Sequence, residues 1–416
     1  MSEHVKLSEV CEILNSNVDK KIKENEQKVK LCNFTDVYNN WAITKYTSKK
    51  FMKATATQNE INKFSLKKGY VAITKDSETK DDIGISTYIA DNFDNVLLGY
   101  HCTLLKPNQK VLNGKFLNAY LNSFYGRKYF SNCASGSGQR YTLTIDTIKD
   151  LNIPLINIET QQKIARTLSV LDQKIENNHK INELLHKILE LLYEQYFVRF
   201  DFLDENNKPY QTSGGKMKFS KELNRLIPND FEVKTLGELI TWISGSQPPK
   251  SCHIYEHKEG YIRFIQNRDY SSNDYITYIP ISKNNKICYQ YDIMIDKYGE
   301  AGAVRFGLQG AYNVALSKIS VLNQSMQEYI RSYLNSKPIK KYLSNACMAS
   351  TRSSLNENHI YSLMLPIPPI NLLQKYEKIA KNIITAIIKN NQSTQTLTAL
   401  RDFLLPLLLK QQVKPE

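Results

Sequence analysis

Two stretches of the chain space their apolar residues by alternating steps of four and three, which is the spacing of a coiled-coil seam. The second seam keeps the register of the first at a separation of 215 residues. The seam positions are Ile164, Leu168, Leu171, Ile175, Leu185 and Leu189 in the first stretch and Ile379, Ile383, Leu397 and Leu404 in the second. Polar Asn178 and Asn182 interrupt the first seam. The pattern predicts two long helices that pair with each other, with two separate core helices as the alternative, and Pro406 should kink or end the second helix.

An internal repeat organises the rest of the chain. The segment YLNSFYGRKYFSN at Tyr120–Asn132 returns 213 residues later as YLNSKPIKKYLSN at Tyr333–Asn345. Downstream, LNIPLINIETQQKIA at Leu151–Ala165 parallels LPIPPINLLQKYEKIA at Leu365–Ala380. Each copy therefore precedes one of the predicted long helices. A chain with such a repeat contains two copies of one structural unit.

The length of 416 residues also favours two domains, because single hydrophobic cores stop growing at roughly 250 to 300 residues. Few large apolar residues lie between 200 and 230, which is rich in Asn, Lys, Gly and Ser and is typical of a linker. We predict an α+β fold with two globular α/β domains, two long antiparallel coiled-coil helices and a pseudo two-fold internal repeat. The predicted segments are a first domain at 1–154, a first helix at 155–200, a linker at 201–230, a second domain at 231–367 and a second helix at 368–416.

Charge and cysteine content narrow the class of protein. The chain has 55 Lys and Arg against 41 Asp and Glu, a net charge of +14, which favours a polyanionic partner such as nucleic acid. Its 7 cysteines are odd in number and never form a C-x-x-C pair, so we expect reduced thiols that mostly pack in cores. No apolar run reaches the roughly 18 residues of a membrane span, and the N-terminus lacks the apolar stretch of a signal peptide. We expect a cytoplasmic protein without membrane contact.

Catalytic and metal-binding motifs are absent from the sequence. There is no glycine-rich phosphate loop. Asp230, Glu232 and Lys234 resemble a nuclease cluster but lack the distant acidic partner that such a metal site needs. Cys252 and His253, with a second histidine nearby, lack another ligand pair at a zinc-like spacing. We predict no catalytic residue and no metal site in this chain.

Clusters of polar, aromatic and basic residues at loop positions have the chemistry that reading of DNA base edges requires, with Arg for guanine, Asn or Gln for adenine, and Ser or Thr for phosphate or base. The clusters fall at comparable places in the two copies. For any single residue, ordinary loop polarity is the alternative explanation. The predicted DNA-binding residues are Asn33, Thr35, Lys75, Ser77, Ser137, Gln139, Arg140 and Tyr141 in the first domain and Asn267, Arg268, Lys297, Tyr298, Thr351, Arg352 and Ser353 in the second.

The sequence resembles the specificity subunits of type I restriction-modification systems over essentially the whole chain, and three features carry the resemblance. The segments IPLINIETQQKIA and IPPINLLQKYEKIA resemble that family's junction between recognition domain and spacer helix. The string YFVRFDFLDENNKPYQTSGGKMKFSKELNRLIPNDFEVKTLGEL is similar to its central connection. LCNFTDVYNN and AITKDSETKDDIG resemble one recurring type of recognition domain. The second junction departs from the family pattern by having Gln374 and Glu377 in place of an acidic residue and a glutamine, which could alter local capping.

The resemblance implies a subunit that is not itself an enzyme. Each domain would read one half of a split, asymmetric target in double-stranded DNA, and the paired helices would set the number of unread base pairs between the halves. The helices would also dock two methyltransferase subunits that carry S-adenosylmethionine, and restriction subunits that use ATP and Mg would join them. This chain would hold no cofactor. A freestanding methyltransferase-nuclease would need an N-P-P-Y type motif, which is absent, and a coiled-coil scaffold that binds only protein is the other alternative.

Overall fold

The computed structural model describes residues 3–136, 139–273, 275–348 and 354–412. The chain divides into two units, and the division falls within both long helices. Unit 1 comprises Met1–Asn178 and Ser393–Glu416, and unit 2 comprises His179–Gln392. Each unit thus contains one of the predicted domains and a part of each long helix. In the described ranges, no helix has the length and apolar character needed to cross a membrane.

Unit 1 is built on three β-sheets and a two-stranded ribbon. Its main sheet has five strands in the order Cys11–Asn15, Cys102–Pro107, Val71–Thr74, Ser86–Ile89 and Ala42–Ile43. A second sheet has three strands in the order Met52–Ala56, Gln27–Cys32 and Val96–Leu98. The third is a small sheet of Ser135–Gly136, Tyr141–Thr142 and Asp76–Ser77. The ribbon pairs Glu3–Lys6 antiparallel with Asn152–Leu155, so the two ends of the domain meet where the first long helix begins.

Short helices cover these sheets. They are Leu7–Val10, Phe34–Asn39, Gln58–Phe64, Gly114–Asn122, Phe124–Cys133 and Ile145–Lys149, with a 3-10 helix at Thr47–Lys50. The helix Gln58–Phe64 begins at a capping box, in which the Thr57 hydroxyl accepts from the Glu60 N–H at 3.3 Å and the Glu60 carboxylate accepts from the Thr57 N–H at 2.9 Å. Phe34–Asn39 and Gly114–Asn122 both pack on the central strands of the main sheet. All four residues of Val71–Thr74 are consequently buried.

Unit 2 repeats this plan with different details. Its main sheet has the order Ile240–Ser244, Leu316–Val321, Ile293–Asp296 and Val304–Arg305. Its second sheet has the order Thr277–Pro280, Tyr261–Ile265, Gly310–Tyr312 and Ile287–Cys288. Its ribbon pairs Glu232–Thr235 antiparallel with Met364–Ile367. The helices are Gln327–Asn335, Lys337–Met348 and Glu357–Tyr361, with 3-10 helices at Leu236–Glu238, Lys250–Cys252, Asn267–Tyr270 and Gln324–Met326.

The repeated sequence folds in the same way in both units. Each copy forms two helices separated by a serine, and the N–H of Ser123 donates to the Tyr120 carbonyl at 3.1 Å just as the N–H of Ser336 donates to the Tyr333 carbonyl at 3.1 Å. Both serines have extended backbone angles, which end one helix and begin the next. The predicted α+β class and the internal repeat are confirmed.

The long helices, Ile158–Tyr193 and Ile370–Leu409, run antiparallel wherever they meet within a unit. In unit 1, Ile164 and Leu168 share a core with Leu405 and Leu408, whereas Asn178 donates to Ser393 Oγ at 3.2 Å. Residue numbers therefore rise on one helix as they fall on the other. The prediction of two paired helices is confirmed.

Three asparagine amides join the two helices within unit 2, and one of them, Asn182, is buried. Asn182 Nδ2 donates to Asn391 Oδ1 at 2.8 Å, and Asn390 Nδ2 donates to Asn182 Oδ1 at 2.9 Å. Asn182 is 9% exposed, so its amide would be costly to leave unpaired. A satisfied polar residue in an otherwise apolar seam is a feature that fixes the register of paired helices. The asparagine that interrupts the sequence pattern thus pairs the helices.

The predicted seam positions are buried or half-buried in the first helix, whereas one of them is exposed in the second. Ile164 and Leu168 are buried, and Leu171, Ile175, Leu185 and Leu189 are half-buried. Ile379 is 41% exposed, so its placement in the seam was wrong, and the neighbouring Ala380 is buried instead. Ile383, Leu397 and Leu404 are half-buried. The second helix packs on the core of unit 2 as well as on the first helix. Its buried face is therefore wider than the seam of a two-helix coiled coil. The helix also continues through Pro406 to Leu409 rather than ending at the proline.

The segment predicted as a linker belongs to unit 2 and carries structure of its own. Its strands Met217–Ser220 and Arg225–Pro228 form an antiparallel hairpin. Phe202 stacks on Tyr210 with ring centroids 4.9 Å apart and lies against Phe231 at 5.9 Å. The first long helix leads into this segment through a π-helical turn at Glu194–Val198. These aromatic contacts therefore pack the polar segment 201–230 against the second domain.

The two junctions differ chemically, as the sequence departure at Glu377 suggests. In unit 1, the buried Gln161 accepts from the Asn113 N–H at 2.8 Å, at the start of the helix Gly114–Asn122. In unit 2, Glu377 Oε2 accepts from the Glu328 N–H at 2.8 Å, in the first turn of Gln327–Asn335. Burial raises the pKa of the Glu377 carboxyl to about 7, although the Glu328 N–H opposes the rise. The second junction therefore has a titratable group where the first has an amide.

We expect Glu377→Gln to stabilise the protein at pH 8 and to leave its stability nearly unchanged at pH 5. Because the folded-state pKa lies above the ordinary value, the wild-type protein loses stability as pH rises through about 7, and the amide does not titrate. Since the carboxyl is only partly buried, the gain at pH 8 should be on the order of 1 kcal/mol. Urea unfolding at both pH values measures it, with the exposed Glu256→Gln as control. A gain of equal size at both pH values would contradict the assignment.

Candidate nucleic-acid interface

A backbone frame brings three loops together in each unit. In unit 1, the Lys75 N–H donates to the His101 carbonyl at 3.1 Å, and the Lys75 carbonyl accepts from the Leu143 N–H at 2.8 Å. In unit 2, the Lys297 N–H donates to the Ala315 carbonyl at 2.8 Å, and the Lys297 carbonyl accepts from the Leu355 N–H at 3.0 Å. We call this arrangement the lysine frame. The two lysines follow equivalent buried strands, as the positions of the clusters in the sequence indicated.

A glycine closes the loop after each lysine. The Gly84 N–H donates to the Thr74 carbonyl at 3.1 Å, and the Gly302 N–H donates to the Asp296 carbonyl at 2.9 Å. Both glycines have positive φ, at 74° and 89°. A Cβ at Gly84 would lie 2.5 Å from the Phe130 ring, and one at Gly302 would lie 2.8 Å from Leu343 Cβ. The loops between lysine and glycine are therefore anchored on the repeated helices in both units.

In unit 1, the frame gathers side chains from three distant parts of the sequence. Asp76 Oδ2 lies 2.7 Å from His101 Nδ1, and Asp76 Oδ1 accepts from the Thr142 hydroxyl at 3.0 Å. The guanidinium of Arg140 lies 3.8 Å from Asp76 Oδ2 and is largely exposed. Tyr141 pairs with Ser77 across the small sheet. The structure thus brings together the predicted residues Lys75, Ser77, Arg140 and Tyr141.

The predicted residues near Asn33 serve in part to build the turn. The Asn33 N–H donates to Asp36 Oδ2 at 2.8 Å at the start of a short helix, and Thr35 is exposed on that helix. Unit 2 repeats the turn, since the Gln266 N–H donates to Asp269 Oδ2 at 2.9 Å. Burial raises the pKa of both carboxyls. Some of the polar residues in these loops therefore cap a short helix, and only the others are available to contact a ligand.

In unit 2, the predicted residues lie around the second lysine frame. Asn267 Nδ2 donates to the Tyr298 carbonyl at 3.2 Å, which ties the two loops together. The Arg268 guanidinium lies over the Tyr275 ring at 5.3 Å, and the Lys297 ammonium lies 5.9 Å from the centre of the Tyr298 ring. Both rings are exposed, with Tyr298 at 45% and Tyr275 at 60%, and Arg268 is exposed whereas Lys297 is half-buried. Cations held over rings suit phosphate and base contacts.

The remaining predicted residues divide into three groups. Gln139 is exposed beside Arg140. Ser77 is buried and its hydroxyl accepts from the Thr79 N–H at 3.3 Å, so it supports the turn rather than facing a ligand. Four predicted residues lie outside the described part of the chain, namely Ser137, Thr351, Arg352 and Ser353.

Tyr100 and His101 were not among the residues predicted from the sequence, and they lie between two buried strands. Their rings are 3.8 Å apart. The partners of His101 in the structure, Asp76 and Arg140, are 25 and 39 residues away in sequence, so no local motif marks the site. A polar and aromatic pair between two buried strands was the available indication.

The groups considered for metal binding have other contacts. The His253 ring packs on Phe264 with centroids 5.3 Å apart, and the His257 ring packs on Tyr278 at 5.3 Å. Among the described residues, no three or more His, Cys, Asp or Glu side chains are grouped as metal ligands would be. Five of the seven cysteines are buried, which agrees with the packing role expected for most of them.

Comparison with known proteins identifies the family. The family model described as "Type I restriction modification DNA specificity domain" matches residues 2–187 and 228–399. The chain belongs to this family. Each matched range contains one ribbon, one main sheet, one second sheet and the first part of one long helix. The family model therefore matches each copy of the structural repeat once.

Individual members of the family agree with this assignment. The chain is 27% identical over 356 residues to the type I restriction enzyme MjaIX specificity subunit of Methanocaldococcus jannaschii, covering 84% of this chain and 76% of that protein. It is 24% identical over 411 residues to the HindI specificity subunit of Haemophilus influenzae, covering 84% and 88%. The crystal structure of a type I restriction-modification S subunit from M. genitalium shares the fold, with a TM-score of 0.56, 17% identity, and coverage of 98% and 96%.

Proposed function

We propose that each domain of this specificity protein reads one half of a bipartite sequence in double-stranded DNA through the loops around its lysine frame. One observation carries the proposal. The same backbone frame occurs twice, yet it presents different side chains, with Asp76 and His101 in unit 1 and Tyr298 and Ala315 at the corresponding positions in unit 2. A shared scaffold with different side chains gives two readers with different base preferences. The target is therefore asymmetric.

Different residues around the frame supply affinity for DNA and specificity for its sequence. Lys75 and Lys297 occupy the corresponding position in both units, as a contact to phosphate requires, because phosphates are present at every sequence. Arg140 and Arg268 present planar guanidinium groups, which suit guanine edges. The net charge of +14 adds a salt-dependent attraction to DNA. We assign phosphate contact to the lysines and base readout to the side chains that differ.

The long helices supply spacing and a partner surface. On the first helix, four exposed apolar residues are spaced by three, four and three positions, at Ile181, Leu184, Ile188 and Leu191. This spacing suits a helix from another chain. The buried residues of the predicted seam, such as Ile164 and Leu168, are used within unit 1, so we assign docking of the methyltransferase subunits to the exposed stripe instead.

The chemistry of methylation and cleavage belongs to the partner subunits in this proposal. Two methyltransferase subunits would supply S-adenosylmethionine, and restriction subunits would supply the ATP and Mg-dependent steps. This chain contributes DNA reading and contains no catalytic residue of its own. Its place of action is the cytoplasm, with the DNA.

Co-expression with a type I methyltransferase subunit from the same organism tests the proposal. N6-methyladenine would be mapped across the host genome by single-molecule sequencing, with and without this chain. We expect a split motif with a methylated adenine in each half, and we expect it to vanish when the chain is omitted. Methylation that persists without the chain, or that shows no sequence motif, would favour the scaffold alternative.

A further inference from the structure

In unit 1, the lysine frame opens into a concavity of about 430 Å³ that contains a histidine with fixed orientation. The concavity is lined by Asn15, Lys75, Asp76, Tyr100, His101 and Arg140 among others. The His101 side chain is 19% exposed, and its ring packs against that of Tyr100 at 3.8 Å. The ring is therefore held by neighbours yet open to a ligand on one side.

The contacts of His101 decide which ring nitrogen carries the proton. Nδ1 lies 2.7 Å from Asp76 Oδ2 and 3.0 Å from an Arg140 NH group. One nitrogen does not donate to a carboxylate and accept from a guanidinium at the same time. The contact to the carboxylate is shorter and charge-assisted, so the proton lies on Nδ1 and points to Asp76. In the neutral ring, Nε2 then has a free lone pair, and no described residue forms a hydrogen bond to it.

Asp76 is itself held in place. Its other oxygen accepts from the Thr142 hydroxyl at 3.0 Å, and its side chain is 15% exposed. The carboxylate thus fixes both the tautomer and the orientation of the imidazole, as a carboxylate partner does for other functional histidines. Unit 2 has Tyr298 and Ala315 at these two positions of its frame, so this arrangement is specific to unit 1.

We infer that His101 is a base-reading residue for the half-site of unit 1 and that Asp76 is the positioning residue that sets its tautomer. The inference rests on the proposed function. With the proton on Nδ1, Nε2 accepts a hydrogen bond from the exocyclic amino group of an adenine or cytosine in the major groove. Loss of the Asp76 charge frees the other tautomer, in which Nε2 donates and favours an acceptor such as guanine O6 or N7.

The experiment compares the methylated motifs of full-length variants co-expressed with the methyltransferase subunit. His101→Ala should lower discrimination at one base pair of one half-site by roughly tenfold, the loss of one good base contact. Asp76→Asn should change the preferred base at that same pair. His101→Asn, which keeps a polar side chain of reduced reach, serves in case the alanine variant is poorly folded. Glu256→Gln, at an exposed position outside both frames, should leave both half-sites unchanged.

The outcomes separate this inference from the proposed function. A wild-type motif that stays the same in His101→Ala and Asp76→Asn overturns the inference and leaves the proposed function intact. Loss of all methylation in His101→Ala, with an unchanged motif in His101→Asn and Asp76→Asn, overturns it as well. Absence of any split motif in the wild type overturns the proposed function itself.

Discussion

Replacing Arg331 by leucine should lower the apparent free energy of unfolding of unit 2 by about 3 to 5 kcal/mol. The Arg331 guanidinium is buried and bonds Glu328 through Nε at 2.7 Å and through a second nitrogen at 3.1 Å. It also donates to the Tyr291 carbonyl at 2.5 Å and lies 5.0 Å from the centre of the Phe306 ring. Removing it leaves the buried Glu328 carboxylate without its cation. The loss is measured by urea unfolding followed by circular dichroism.

Two further variants test the reason for this loss. The exposed pair of Arg199 with Glu194 is a matched control, and Arg199→Leu should cost far less stability than Arg331→Leu, because water screens an exposed ion pair. The double variant Arg331→Leu with Glu328→Leu should be less destabilised than Arg331→Leu alone, because it removes the stranded charge. Equal losses in Arg331→Leu and Arg199→Leu would show that Arg331 has no special structural role.

Gly84→Ala should impair reading of one half-site, and Gly302→Ala should impair reading of the other. At Gly84, a Cβ meets the Phe130 ring at 2.5 Å while φ is 74°, so the backbone of the loop must move. At Gly302 the obstacle is Leu343 at 2.8 Å. Displacement of a loop that holds base contacts should reduce discrimination by on the order of tenfold to a hundredfold at the affected half. The methylated motif of each variant measures it.

Gly260→Ala is the matched control for these two variants. Its φ is 81°, which carries a similar backbone penalty, but no atom lies within 4 Å of the added methyl group. Both half-sites should therefore be read normally in this variant. Damage to both halves by Gly84→Ala alone, or to neither, would contradict the role of the glycines as loop anchors.

Much of the fold was predictable because the repeated segments of the sequence form the same elements in both units. The helices on either side of Ser123 and Ser336 follow from the repeated segment, and the pairing of the long helices follows from their apolar spacing. The shift from Ile379 to Ala380 was not predictable, because the buried face of that helix is set partly by the core of unit 2. The periodicity of apolar residues predicts that a helix has an apolar face. It does not predict which parts of the fold pack against that face.

The candidate site was predictable only where its residues follow recognisable elements. Lys75 and Lys297 could be found because each follows a strongly apolar strand. His101 could not, because its contacts with Asp76 and Arg140 depend on three loops that meet only in the folded domain. Ser77 shows the opposite error, since a hydroxyl in a polar loop proved to face inward. Loop composition predicts where a site lies better than it predicts which side chains face the ligand.

The most direct test of the two-reader account is exchange of residues 1–154 for the corresponding residues of another family member, followed by mapping of methylated adenines. The ribbon that closes the domain pairs Glu3–Lys6 with Asn152–Leu155, so the exchange replaces the domain up to the last residue of the ribbon and leaves both long helices unchanged. The account predicts that one half of the motif changes, while the other half and the spacing between them stay the same. A motif that is unchanged, or one that changes in both halves, would contradict it.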